Sequence, residues 1–334
     1  MVVCVTRYVP LLAPLLKPLA LPRYDALATG PRDRNVCKNL RDFHNWLKKD
    51  LIMRNTSDGE SLLDLGCGQG GDLLKWGVAG LGHVCGVDIS QQSLVELKQR
   101  YDAGRAQGKM KFTVQTFWGD CSKDMRDQIC AHAPEPNRMF DCVSSMFSLH
   151  YNFSSTESIN NFFSNVTCAL KPGGRFFGTF CSGEAVLNLL MEAQCSHYQD
   201  TVEDFAVTFK ASDEKIFSPG DGIGLPYQFR LGAAVEDIDE YVTLWSTLSA
   251  AAARHGLVGG LVGCISGMMS PLCCCLNYSA GGALCRRLSA VRPGEAVCQA
   301  RVVSCFSASG LLCSLASWPA SHSRLPRNLS AEVG

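Results

Sequence analysis

The segment Ser61–Trp76, SLLDLGCGQGGDLLKW, constrains the possible folds more tightly than any other stretch of the chain. A short apolar run stops at Gly66-Cys-Gly-Gln-Gly-Gly71 and gives way to Asp72-Leu-Leu-Lys-Trp76. Strand, glycine turn, helix is the natural reading. The alternation continues with His83–Ile89 as a second strand, Gln91–Tyr101 as its helix, Lys111–Trp118 as a third strand and Met139–Met146 as a fourth. A helix over Ser158–Leu170 ends at Lys171-Pro-Gly-Gly174, a turn that opens a fifth strand, Arg175–Phe180. Strands alternating with helices predict an α/β fold, a doubly wound and mostly parallel sheet covered on both faces. Upstream, Val36, Leu40, Phe43, Leu47 and Leu51 recur at helical spacing and predict an amphipathic helix over Val36–Ile52. Downstream, Asp204–Lys210 and Pro226–Leu231 read as strands of a small inserted β segment, and Ile238–His255 as one long helix. Only Leu257 and Val258 prolong the pattern.

With 334 residues, 46% of them hydrophobic, the chain can bury one large core and carry extra segments. The expected organisation is a leader over 1–34, a principal domain over 35–258 and a tail over 259–334. Pro10, Pro14, Pro18 and Pro22 interrupt the Leu-rich leader on every helical turn, which excludes a membrane-spanning helix and favours a flexible or extended segment. The tail holds eight of the 18 cysteines, Cys273, Cys274 and Cys275 among them, without pairs at metal-ligand spacing. An irregular Cys/Ser/Ala-rich appendage is expected there, and no metal. Earlier cysteines such as Cys142 and Cys168 sit singly in apolar runs, as small buried hydrophobes do, which implies a reducing compartment. Between Asn35 and Val258 the chain has 20 Lys and Arg against 27 Asp and Glu, a net charge of −7. That is a poor match for long nucleic acid, so any nucleic-acid partner should be gripped locally.

Asp64-Leu-Gly-Cys-Gly68 resembles the first glycine motif of S-adenosylmethionine-dependent methyltransferases. Without side chains, Gly66 and Gly68 let the backbone approach a ligand, although plain tight turns use the same residues. Asp88 ends the second strand about twenty residues after the loop, where a carboxylate can accept from both ribose hydroxyls or cap the next helix. Asp120 closes the third strand. A cationic cofactor, unlike a dinucleotide, welcomes acids such as Asp64 and Asp72.

The resemblance narrows with Phe43-His-Asn-Trp-Leu-Lys48, the full stretch Asp64–Trp76, Ser148-Leu-His-Tyr-Asn-Phe153, Leu170-Lys-Pro-Gly-Gly174 and Val235-Glu-Asp-Ile-Asp-Glu-Tyr-Val242. In this order they look like the mRNA cap guanine-N7 methyltransferase family, over roughly Asn35–Val258. The resemblance implies a Rossmann-like class I methyltransferase that uses S-adenosylmethionine to methylate N7 of the terminal guanosine of a 5'-capped mRNA, in the nucleus. It implies Lys48, Asp64, Gly66, Asp88, Asp120, Met146 and Tyr151 as cofactor contacts, and Gln69, Lys75, Arg100, His150 and Glu240 as cap contacts. Glu240 also reads as part of an acidic helix start. Met146, Gln69 and His44 depart from the family, which usually has an amide, a Lys and an Asn there. No general base is implied, and an activating subunit or other capping enzymes are the partners the resemblance allows. The closing strands it implies after the long helix are not legible. A small-molecule methyltransferase and a decayed, binding-only domain stay open as other readings.

Overall fold

The computed structural model describes residues 38–200, 205–231, 235–265 and 273–280. The leader, and the tail apart from 259–265 and 273–280, lie outside them. Helix α1 (Lys38–Asn55) leads into β1 (Ser61–Leu65), α2 (Leu73–Val78), β2 (His83–Asp88), α3 (Gln91–Ala106) and β3 (Thr113–Trp118). Then follow α4 (Arg126–His132), β4 (Phe140–Met146), a 3-10 turn (Leu149–Ser154), α5 (Thr156–Ala169), β5 (Leu170–Cys181) and α6 (Gly183–Ala193). The inserted part comprises β6 (His197–Asp200), β7 (Phe205–Phe209), α7 (Glu214–Phe217), β8 (Pro226–Leu231) and β9 (Val235–Tyr241). Helix α8 (Trp245–Arg254) and strands β10 (Leu257–Ile265) and β11 (Cys273–Ala280) complete the order.

Strands β1 to β5 are mutually parallel, and the main sheet runs β10-β11-β5-β4-β1-β2-β3. All of β1 is buried because both of its faces are covered. Leu62 joins Leu47, Leu51, Leu73, Trp76 and Leu97 on one face. Leu63 and Leu65 join Ile129, Phe162, Phe163, Leu248 and Ala252 on the other. The doubly wound α/β architecture expected from the alternation is therefore present. Helix α5 is started by Ser155, whose hydroxyl accepts from Ser158 N at 3.1 Å. Ser155→Ala should cost about 1 kcal/mol, read as a drop of roughly 2–4 °C in a thermal melt.

Two expectations need correcting. The long helix over Ile238–His255 does not form: its first part is β9, and only Trp245–Arg254 is helical. Strand β8 captures the segment through its hydrogen-bonding edge, with Tyr227 opposite Glu240 and Phe229 opposite Ile238. Ile238 and Glu240 are buried and Asp239 is exposed, an alternation of period two. The helical spacing of Ile238, Tyr241, Val242 and Trp245 is overridden by this pairing. The second correction lies at the boundary drawn after Val258, because the sheet continues beyond it. Strand β11 pairs antiparallel with β5 over Arg175–Cys181, and β10 pairs antiparallel with β11. Glycine and repeated cysteine obscure strand periodicity there, and a backbone partner decides the conformation instead. The resemblance implied closing strands, and these two occupy that place.

The inserted antiparallel sheet runs β6-β7-β8-β9 and packs Phe205, Val207, Phe209 and Tyr227 against Val186, Leu187 and Leu190 of α6. Among the described residues no helix is long and apolar enough to cross a membrane.

Candidate active site

Sheet order reverses between β1 and β4, and a crevice opens at the carboxyl ends of such strands. Those ends deliver Asp64 and Gly66 from β1, Asp88 from β2, Asp120 from β3 and Met146 from β4. The glycine loop is tied down by Gly66 N and Cys67 N, which donate to Val87 O at 2.8 and 3.0 Å. Gly66 and Gly68 adopt φ of +84° and +52°, values that favour glycine. A Cβ on Gly66 would collide with Ser148, whereas one on Gly68 would meet nothing within 4 Å. The loop therefore presents open space above Gly68. Gly68 N donates to Asp88 Oδ2 at 2.7 Å, and Ser90 N donates to Asp88 Oδ1 at 2.9 Å. Asp88 therefore ties the glycine loop to the turn after β2, and the cap of α3 falls instead to Ser90, whose hydroxyl accepts from Ser93 N at 3.1 Å. Asp120 Oδ1 accepts from Ser122 N at 2.9 Å and from Ser122 Oγ at 2.7 Å.

Asp64 is fully enclosed, and burial pushes its carboxyl up to about 7, with the Asp72 charge acting in the same direction. The Ser144 hydroxyl and the Lys48 charge oppose that rise, and Asp88 adds to it. Asp72 goes the other way. Burial would raise it, but the Lys48 and Lys75 ammoniums hold it below the usual carboxylate range. Lys48 Nζ lies 2.9 Å and Lys75 Nζ 2.8 Å from Asp72 Oδ1. Lys75 also donates to Asn45 Oδ1 and Gly71 O, so α1 and the loop are locked together.

A raised carboxyl pKa means that the folded chain binds a proton that the unfolded chain releases at lower pH. Its stabilising contribution is complete at acid pH and is lost as pH rises from the ordinary Asp range toward 7. A cationic ligand beside Asp64 favours the ionised form, so S-adenosylmethionine affinity should increase between pH 5 and 8. Calorimetric titration across that window checks this, and Asp64→Asn should flatten the dependence. Affinity of the unaltered chain that does not change with pH would refute it.

A second group forms between the 3-10 turn after β4, the end of β5, and the β8-β9 pair. Glu240 Oε2 accepts from Tyr227 Oη at 2.7 Å, and Oε1 accepts from Tyr151 Oη at 3.4 Å. His150 Nε2 is 3.3 Å from Glu240 Oε1. Glu240 is 3% exposed and His150 1%. Burial alone would raise the Glu240 carboxyl; the His150 charge and the Tyr227 and Cys181 hydrogen bonds keep it below the ordinary value. Burial first, then the Glu240 charge, pushes the Tyr227 hydroxyl well up, so it stays a donor. Gln69 and Arg100 form a third contact, Nη2 to Oε1 at 3.3 Å. Tyr151, expected at the cofactor, is thus joined to Glu240, a residue expected at the cap. Lys48 reaches the glycine loop through Asp72. Met146 sits buried, its Sδ 4.0 Å from Thr179 Oγ1. Sequence reasoning missed Tyr227 and Cys181, whose local sequence carries no signal, and Ser144, which donates to Asp64.

A buried acidic crevice with an open glycine corner fits S-adenosylmethionine, a cation bearing a ribose. Fold and loop together define the class I methyltransferase fold. The solved CcbJ methyltransferase from Streptomyces caelestis shares this fold, with TM-score 0.50 and 16% identity, over 78% of this chain and 96% of that one. The chain belongs to the mRNA (guanine-N(7))-methyltransferase domain family, whose model matches residues 23–262. The mRNA cap guanine-N(7) methyltransferase of Saccharomyces cerevisiae is 34% identical over 229 residues, covering 65% of this chain and 50% of that protein. The Candida glabrata protein of the same name is 32% identical, with 68% and 54% covered. For mRNA cap guanine-N(7) methyltransferase 1 of Arabidopsis thaliana the figures are 30%, 68% and 60%. The chain spans about half to three fifths of the length of these relatives.

Proposed function

We propose that this chain transfers a methyl group from S-adenosylmethionine to N7 of the guanosine that caps an mRNA. The observation that carries the reading is the enclosed Glu240 carboxylate, held by Tyr227, Tyr151 and His150 at the carboxyl edge of the sheet that also bears the glycine loop. Bound there, the cofactor supplies a methyl group activated on a sulfonium. Guanine N7 has an accessible lone pair and needs no proton removed, so the residues act by position and charge. Asp88 and the loop orient the cofactor, while Glu240 and His150 hold the guanine so that N7 lies in line with the methyl group. The ionised Glu240 carboxylate favours the positive charge that grows on the guanine ring. Arg100, and Lys75 once shared with Asp72, are the cations for the cap phosphates. With Gln69 in place of the family's Lys, phosphate binding is expected to be weaker than in relatives. A nuclear site of action and an activating subunit or other capping enzymes as partners belong to the same proposal.

The test incubates the purified chain with labelled S-adenosylmethionine and either capped, unmethylated RNA or free guanosine nucleotides, then digests the product. Label at N7 of the terminal guanosine is expected. Label confined to free nucleotides would favour a small-molecule acceptor, and no transfer despite intact cofactor binding would overturn the reading.

A further inference from the structure

Three metal-ligating side chains converge beside the proposed guanine site. A ring nitrogen of His150, Sγ of Cys181 and a carboxylate oxygen of Glu240 all lie within 4.8 Å of one another. The 3.3 Å approach of His150 Nε2 to Glu240 Oε1 is not aligned as a hydrogen bond, and both ring nitrogens lack an aligned partner among the described residues. An enclosed imidazole in that condition costs free energy, and it is aimed at a carboxylate and a thiol. Nitrogen and oxygen ligands of tetrahedral zinc, at the usual bond lengths, stand about 3.3–3.5 Å apart. His150 and Glu240 already hold that separation. Tyr227 fixes Glu240 through Oε2 at 2.7 Å, while Oε1, 3.3 Å from His150 Nε2, takes the longer 3.4 Å bond from Tyr151, as outer hydrogen bonds orient a metal-binding carboxylate.

We infer that His150, Cys181 and Glu240 form a zinc site which, when filled, blocks the methyl acceptor. Binding releases to solvent the Cys181 thiol proton and the proton of a charged His150 ring, and joins thiolate, carboxylate and neutral imidazole to the ion. One thiolate and one carboxylate balance the two positive charges, so the enclosed assembly is neutral. Thiolate and imidazole select zinc over magnesium or calcium. Three protein ligands leave a fourth position for water or a base nitrogen. The blocking effect rests on the proposed function, because the ion engages the carboxylate which that reaction uses; the site itself does not.

The experiment uses the full chain, stripped of metal and kept reduced with a phosphine, and titrates it with Co²⁺ alone. A thiolate-to-cobalt absorption is expected at one equivalent, displaced by Zn²⁺ and lost in Cys181→Ser. In parallel, Zn²⁺ should inhibit cap methylation by the unaltered chain and be at least about 100-fold less potent on Cys181→Ser, each chain being scored against its own metal-free rate. A cobalt spectrum indifferent to Cys181→Ser overturns the site, since other cysteines then hold the metal. A Cys181-dependent spectrum with equal zinc sensitivity of both chains overturns the blocking role. If Cys181→Ser melts below the assay temperature, Cys181→Ala in the same titration decides. Should neither chain methylate caps, the cobalt titration still decides the site, and the failure falls on the methyl-transfer reading alone.

Discussion

Glu240→Gln should leave the chain folded and S-adenosylmethionine affinity unchanged while lowering kcat for cap methylation by roughly 10²–10³. Gln has nearly the same volume, and its oxygen can still accept from Tyr227, now 2.7 Å from the carboxylate. What disappears is the negative charge. That charge is held by burial among His150, Tyr151 and Tyr227, where water screens it little. A guanine gaining positive charge during transfer would then face a neutral amide. The effect therefore falls on kcat more than on KM for the cap. Single-turnover kinetics with capped RNA, beside calorimetry with the cofactor, separates the two, and unchanged turnover would sink the electrostatic role assigned to Glu240.

Two glycines separated by a single residue should fail in different ways. Gly66→Ala places a Cβ at φ +84° and against Ser148. Ser148 Oγ donates to Leu65 O at 2.6 Å and shares a hydrogen bond with Ser145 Oγ at 2.8 Å, so making room breaks both contacts. Left-handed strain and those losses together come to about 3 kcal/mol, and a domain of this size should melt roughly 6–12 °C lower. Gly68→Ala meets no atom of the fold and should cost only about 1 kcal/mol of stability. Its Cβ instead enters the space above the loop, so cofactor affinity should fall by at least about tenfold. Thermal melts and cofactor titrations on both variants decide the matter. Equal effects on stability and affinity in the two would show that the open corner at Gly68 is not where the cofactor lies.

The alternation of β1 to β5 with helices was legible because the inner strands β1, β2 and β4 are buried along most of their length and read as apolar runs, while β3, at the edge and largely exposed, is read from its β-branched and aromatic residues. Ser61–Leu65 and Pro226–Leu231 fall where the pattern puts them. The acids at the strand ends were legible for the same reason: strand polarity fixes which end of the sheet they share. Segments whose state depends on a neighbour were not. Glu240 lies on a strand because β8 offers an unpaired edge, and β10 and β11 are strands because β5 does. A residue's own sequence neighbours do not announce such an edge.

The site divides along the same line. Its glycine loop and its acids are local features, and the amino-acid order determined them through backbone permissiveness and strand-end position. The enclosure of Glu240 by Tyr227, Tyr151 and His150, the neutralisation of Asp72 by Lys48 and Lys75, and the meeting of Cys181 with His150 were decided only by tertiary structure. These groups are up to 90 residues apart along the chain, since Glu240 follows His150 by that distance. Their charges and hydrogen bonds acquire strength only once folding removes the water between them.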